Sequence, residues 1–389
     1  VSPGRAAAEV DRLAEGLPAL LGRWCAINSG SRNLEGLAAM LAALREVAAP
    51  LAESVDEVPV APGGPAVLDL VRRPGAEVRV LLMGHYDTVF GPEDPFRRGA
   101  PAGEDRFVGP GAADMKGGLL VLLTALAALE AAGPTGRLGW RVLVTPDEEV
   151  GSQGSAPLIA AAAAEAHVGL VFEPASGADP VRSRRGRDVL AVAVRGRAAH
   201  AGRDPGAGRS AVAALAELIG RLEALHDPAR GVSLNVGRIA GGGAVNVVPD
   251  AAAAELETRS GTAADAADVR ARIAATAREV AARREVAIDV RTLVACPPMP
   301  REPRRDALLE AYRERARALG VEVGAADLGG VSDGNLLAAA GLPVLDGLGV
   351  VGGGLHGPEE WVRLSSLAER ARIAAELLTA LDDGRLTPP

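Results

Sequence analysis

The chain has 389 residues, of which 48% are hydrophobic and only 2% aromatic, and its formal net charge is -8 with a sequence pI near 5.4. Such a length accommodates two domains and a large core, and that core must be built from Ala, Val and Leu. The acidic balance, with no basic block interleaved with aromatics, excludes nucleic acid as the expected partner, while two cysteines, Cys25 and Cys296, exclude a disulfide framework or a zinc finger.

Glu9 to about Leu51 has the apolar spacing of helix. Its opening residues lack an apolar leader core, and no run approaches the roughly 18 apolar residues of a membrane span, so a soluble cytoplasmic protein with no membrane partner is expected. Val78 to Met83 reads as a strand, and Gly117 to Ala131 as a buried helix entered through glycines. Arg141 to Val144 is a second buried strand that ends at Thr145; an alanine-rich helix, Ala156 to Ala166, and a third strand, Val168 to Phe172, follow. Alternating helices and apolar strands indicate an α/β fold, its sheet covered by helices on both faces.

Beyond about Asp179 the pattern changes. Val189 to Val194 alternates as a strand, Ser210 to Leu225 is an amphipathic helix, and Val232 to Ile239 and Ala251 to Thr258 are strands. A helix over Ala264 to Ala282 and a strand over Val286 to Thr292 complete the βαββαβ order of the ferredoxin-like plan. Leu308 to Leu319 then resumes helix and Pro343 to Leu348 buried strand. Residues 180–293 are therefore expected to form an inserted α+β domain between the two parts, 1–179 and 294–389, of a larger one.

The chemistry collects at strand ends. In VTPDEEVGS, Val144 to Ser152, a buried strand stops at three adjacent acids, Asp147, Glu148 and Glu149. In open α/β sheets that edge binds ligands. His85 and Asp87, in Gly84-His85-Tyr86-Asp87-Thr88, share one face of an extended chain, and an aspartate there can fix the imidazole tautomer for a metal. Asp114 stands among glycines just before a helix, a place that suits a helix cap as well as a ligand. Glu173 follows a fully apolar strand, where a carboxylate needs a partner. His356 lies in the glycine-rich loop Gly352 to Gly357.

Charge joins these positions into one centre. Two Zn2+ ions are balanced by Asp114, Glu149, Glu173 and a hydroxide, which leaves Glu148 for proton transfer. Arg182 to Arg187 (RSRRGR) is the one basic cluster, and it reads either as a solvated loop or as recognition of an anionic substrate group.

HYDTV, GPGAADMKGG, PDEEVGS, FEP, AAHAG, the Asn246 to Arg259 segment, GGVSDGN and LHG, in that order, resemble the M20 family of zinc metallopeptidases over nearly the whole chain. The resemblance is closest to the glutamate carboxypeptidase (carboxypeptidase G) branch. It implies a zinc-peptidase catalytic domain with two Zn2+ per chain: Asp114 bridges them, His85 and Glu173 complete one site, and Glu149 and His356 complete the other. Carboxylate-rich sites also accept Mn2+ or Co2+. Glu148 matches the general base and Asp87 the partner of His85, and the peptide after Asp114 is implied to be cis. His200 matches a histidine that leaves the inserted domain of one subunit to supply an oxyanion contact in the other. A homodimer, joined through an inserted domain that also serves as a lid, follows from that match.

By the same resemblance, Glu rather than Asp at position 173 favours cleavage beside a C-terminal amino acid with a free carboxylate, glutamate being the first candidate. Asn246 and Arg259 match residues that grip this carboxylate, and Ser332 adds a hydroxyl; an arginine fork suits such a grip. One departure concerns Val294-Ala295-Cys296-Pro297-Pro298, which stands where the glutamate-specific relative carries a basic residue. Arg182 or Arg184 would then have to meet a glutamate side chain. The rival readings are a deacylase of N-acetyl or N-carbamoyl amino acids, a biosynthetic hydrolase that releases its product from a glutamyl carrier, and a non-catalytic amino-acid-binding paralogue.

Overall fold

The computed structural model describes residues 4–389, which divide into two compact units. One comprises the chain up to Ser183 together with Arg301–Asp327 and Ser332–Pro389; the other comprises Arg184–Pro300 and Leu328–Val331.

The first unit is built on a six-stranded mixed sheet in the order Ser54–Pro59, Ala66–Arg72, Leu138–Thr145, Val78–His85, Val168–Val171, Val344–Leu345. The first two strands form an antiparallel edge, and the last four run parallel. Val78–His85 is apolar and buried on both faces, as a strand between two helical layers must be. Its register decides where the chemistry sits: His85 pairs with Thr145 and Met83 with Val171, so three parallel strands end at one edge.

Gly117–Ala131 is buried almost all round, and Arg5–Ala14 and Ser365–Asp382 pack against it. The core is aliphatic, with Trp24, Trp140, Tyr86, Tyr312 and Phe172 among its few large rings. Contrary to the sequence expectation, the helical run Ala112–Ala131 does reach the length and apolarity of a membrane span, but 89% of its most apolar 18-residue stretch is buried by its neighbours, which makes it a core helix. The strand expected over Pro343 to Leu348 shrinks to Val344–Leu345.

The second unit carries a four-stranded antiparallel sheet ordered Ser233–Gly241, Ala251–Ser260, Gly186–Arg195, Ala287–Cys296. Helices Ala211–Leu222 and Ala263–Arg284 connect its strands in βαββαβ order, the ferredoxin-like plan. Alternate residues Leu190, Val192 and Val194, with Ala252, Ala254 and Leu256, are buried in a core shared with these helices. The basic run Arg182 to Arg187 is not a loop: Val181–Arg184 and Gly186–Arg195 are strands that meet at Arg185.

Candidate metal centre

Strand ends and two loops deliver the polar cluster. His85 is the last residue of its strand, Glu148 and Glu149 open the short turn Glu148–Val150 just past Thr145, and Glu173 comes two residues after Val171. Asp114 arrives from the turn that enters Gly117–Ala131, and its peptide to Met115 is cis. Close approach here depends on glycine: a Cβ on Gly118 would lie 2.0 Å from the Phe172 carbonyl oxygen, and one on Gly84 2.6 Å from Met115 Cε. A side chain at 118 would push the start of this helix off the strand that leads to Glu173, whereas one at 84 would displace the Met115 and Leu119 side chains. His356, with φ 62, occupies the left-handed region, and its side chain stays 55% exposed.

Asp114 is the hub. Its Oδ1 lies 3.1 Å from His85 Nε2 and its Oδ2 3.3 Å from His356 Nε2. Glu173 Oε1 stands 3.6 Å from His85 Nε2, and Glu149 Oε2 stands 3.4 Å from His356 Nε2. One carboxylate thus faces two imidazoles, each with a further carboxylate beside it. His85 Nδ1 lies 3.0 Å from the Asp87 carbonyl oxygen, which can only accept, so Nδ1 carries the proton and Nε2 is turned to the cluster.

Asp87 does more than face the ring. Its Oδ1 accepts from the Glu148 N–H at 3.1 Å, and its Oδ2 accepts from the Glu149 N–H at 3.2 Å and from the Ser31 hydroxyl at 2.7 Å. One buried aspartate therefore fixes both: its carbonyl takes the His85 ring N–H, and its carboxylate, 3.3 Å from that nitrogen, holds the glutamate pair. Asp147, the first of the three acids, plays a different part, since it accepts from the N–H groups of Gly154 and Ser155 and braces the turn. Asp333 supports the same turn by accepting from Thr145 Oγ1 at 2.9 Å and from Ser152 Oγ.

Residues 81–380 match the sequence profile of Peptidase family M20/M25/M40. The chain belongs to this family. Carboxypeptidase G2 of a Pseudomonas species is 31% identical over 319 residues, covering 79% of this chain and 74% of the relative. Succinyl-diaminopimelate desuccinylase of Pseudomonas syringae is 29% identical over 288 residues, covering 70% and 73%. The crystal structure of aminopeptidase PepT from Bacillus cereus shares the fold with a TM-score of 0.79 at 22% identity, over 94% of this chain and 98% of that one. The chain is thus an M20 hydrolase.

M20 enzymes are metal-dependent, and His85, Asp114 and Glu149 form a candidate metal-binding group whose ligand atoms lie within 4.8 Å of one another. The donor set fits divalent ions, because imidazole nitrogens and carboxylate oxygens converge with more negative than positive charge. Protonation reports that excess. Burial opposes a charged His85 ring, yet hydrogen bonds to Asp114 and Asp87 and the fields of Glu173 and Glu148 raise it well above the usual imidazole range. Burial also opposes charge on Asp114, but hydrogen bonds from His356 and His85 outweigh it and lower that carboxyl. Glu148 is raised well above the usual carboxyl range by burial, against the field of His85 and with those of Glu173, Asp333 and Glu149. Glu149 is pushed up to about 7, by burial and then by Asp114.

His200, Asn246 and Arg259 belong to the second unit. His200 is exposed, and its Nδ1 accepts from the N–H groups of Gly202 and Arg203, both at 3.1 Å, which leaves Nε2 as the donor of the neutral ring. Asn246 is exposed in the loop before Val247, and Arg259 donates to Glu257 Oε1 at 2.7 Å and to the Gly329 carbonyl at 2.8 Å.

Arg182 and Ser332 already have protein partners. Arg182 is locked in a two-pronged pair with Asp327, at 2.9 and 2.8 Å, so its fork is already filled. Arg184 is buried and donates to the Gly330 carbonyl at 3.4 Å. Ser332 caps the helix Asp333–Ala339: its Oγ accepts from the Gly334 N–H and donates to Asp346 Oδ2 at 2.6 Å, which commits the hydroxyl expected for substrate.

Sequence reasoning missed Ser31, Asp333 and Glu360. The last is 0% exposed and accepts three backbone N–H groups of the Asp114 turn. An acid immediately before the apolar strand Trp361–Arg363 was the available signal.

Proposed function

We propose that this hydrolase cleaves the amide bond between an acyl or peptidyl group and a C-terminal amino acid with a free carboxylate, glutamate being the first candidate. What carries the reading is the sharing of Asp114 between His85 and His356, with Glu173 and Glu149 beside the respective rings. Two Zn2+ ions per chain would be held there, one by His85 and Glu173, the other by Glu149 and His356, with Asp114 common to both. Bound ions would make water a stronger nucleophile at neutral pH and polarise the scissile carbonyl.

Glu148 takes a proton from the attacking water and returns it to the leaving amine, as a carboxylate next in sequence to the ligand Glu149 can. Asp87 keeps the His85 proton on Nδ1 and holds the Glu148 and Glu149 amides. In this reading the catalytic unit is a homodimer joined through residues 180–293, His200 donates through Nε2 to the reacting carbonyl oxygen, and Asn246 and Arg259 hold the substrate carboxylate. The exposed donor of His200 supports its part.

The test is turnover of a panel of N-acyl and peptidyl amino acids by zinc-loaded protein. Peptidyl and aromatic acyl glutamates are expected to be cleaved faster than amides of neutral amino acids. Equal rates would remove the glutamate preference, and the pairing of Arg182 with Asp327 and the burial of Arg184 make its side-chain part the weaker element. A second reading, deacylation of N-acetyl, N-carbamoyl or N-succinyl amino acids, is favoured by the desuccinylase relative. Faster turnover of such short acyl groups in the same panel would establish it.

Asp87→Asn keeps the carbonyl but removes the carboxylate 3.3 Å from His85 Nδ1, and is expected to weaken zinc binding about 10–100-fold, the usual cost of altering the partner of a ligating histidine. The amide would also set a donor against the Glu148 or Glu149 N–H or the Ser31 hydroxyl. Zinc titration against a competing chelator measures it, and wild-type affinity in the variant would remove Asp87 from this role.

A further inference from the structure

Glu360 is buried completely, yet its carboxylate meets backbone only. Oε1 accepts from the N–H groups of Ala113 at 2.8 Å and Asp114 at 2.9 Å, and Oε2 accepts from that of Gly111 at 3.0 Å. The Glu360 carbonyl oxygen also accepts from the Gly109 N–H at 3.0 Å. These amides belong to an irregular turn, with Gly111 at φ 69 and Asp114 and Met115 outside helical geometry, so no helix satisfies them.

The chain position of Glu360 adds the second half of the argument. It lies four residues after His356 and directly before the strand Trp361–Arg363, which pairs with Arg106–Val108 just upstream of the turn. The segment that presents His356 therefore also grips the backbone of Asp114, and the side chains of His356 and Asp114 meet at 3.3 Å. Because the Asp114 oxygens reach in two directions, to His85 and to His356, a displacement of its backbone disturbs both contacts together.

We infer that Glu360 is a positioning residue for metal binding: it couples the His356 segment to the Asp114 turn and sets both ligands in place before any metal arrives. The inference rests on the metal reading proposed above. A purely architectural role, satisfying buried amides and nothing more, would affect folding without affecting zinc affinity, and the two are separable.

The test compares Glu360→Gln with the wild-type full chain. Glutamine keeps the size but replaces one acceptor with an N–H2 group that opposes a backbone N–H. Zinc competition against a chelator is expected to show at least one metal held about 10–100-fold more weakly. A lower unfolding temperature of the metal-free variant with unchanged zinc affinity overturns the inference. If the variant fails to fold, hydrogen exchange on the metal-free wild type decides, read on peptides covering residues 109–118. Protection of the Gly111, Ala113 and Asp114 amides without metal supports the inference; protection that appears only with zinc overturns it. A wild type that takes up no zinc would instead bring down the metal reading itself.

Discussion

Glu148→Gln is expected to lower kcat by about 10²–10⁴-fold, the range that a positioned acid or base contributes, while zinc binding is retained. The reason lies in how the two adjacent glutamates are used. Glu149 reaches His356 and the hub carboxylate, whereas Glu148 is surrounded by the fields of Glu173, Asp333 and Glu149 and holds its proton far more tightly than an ordinary carboxyl. Glutamine preserves the shape and removes the oxygen that accepts and returns the proton. Because the metal-free cluster already favours the protonated, uncharged form of Glu148, the metal-free variant is expected to unfold at about the wild-type temperature. Steady-state kinetics on the best substrate of the panel, with metal content measured on the same samples, provide the check. Turnover within about tenfold of wild type would mean that another group moves the proton. Loss of zinc along with activity would make Glu148 a ligand instead.

The division of labour proposed for the three acids rests partly on the sequence. Charge balance against two divalent ions separates Glu148 from Glu149 without any geometry. Nothing local distinguishes Asp147, because its partners, the N–H groups of Gly154 and Ser155, become available only when the turn closes on itself. The same holds for Asp333 and Glu360, whose partners are distant in sequence. His85, Asp114, Glu173 and His356 were legible because each is an isolated polar residue at the end of an apolar element or within glycines. The pairing of Arg182 with Asp327 was not legible for a tertiary reason, since Asp327 lies far along the chain.

The fold was read most easily where period and burial agree. Gly186–Arg195 and Ala251–Ser260 alternate buried and exposed residues, as half-covered strands should. Ser365–Asp382 shows the opposite case. It is buried along most of its length with Arg370, Glu376, Thr379 and Asp382 inside, so its polar residues mark no outer face. Tertiary hydrogen bonds resolve the conflict: Arg370 donates to the carbonyls of Gly349, Ala178 and Gly347, and Asp382 accepts from the N–H groups of Thr135 and Leu138. Such a helix looks amphipathic only to a reader who already knows the loops around it.

The crowding of charge predicts how the metal-free protein responds to pH. His85, His356, Glu148, Glu149, Asp333 and Glu360 all bind protons more tightly in the folded chain than in an unfolded one, with Glu149 and Glu360 at about 7 and Asp333 at about 6. A raised group contributes stability that is complete below its unfolded midpoint and is lost as pH rises through its folded midpoint. Asp114 has the opposite sign, but its contribution disappears only under acid conditions, below the ordinary aspartate midpoint. Between about pH 5 and pH 8 the raised groups therefore dominate, and the metal-free chain is expected to lose stability as pH rises. Glu149 alone, moved from 4.5 to about 7, corresponds to a change on the order of 3 kcal/mol. That is several degrees in the unfolding temperature of the unit that carries the site. Zinc should act in the other direction, because it binds the deprotonated ligands, releases their protons and gains affinity as pH rises. Thermal unfolding at pH 5.5 and pH 8, each with chelator and with zinc, is expected to show a large zinc-induced rise at pH 8 and a small one at pH 5.5. A zinc effect of equal size at both values would mean that the protons and the metal do not compete for the same atoms, and the cluster around Asp114 would then not be where the metal binds.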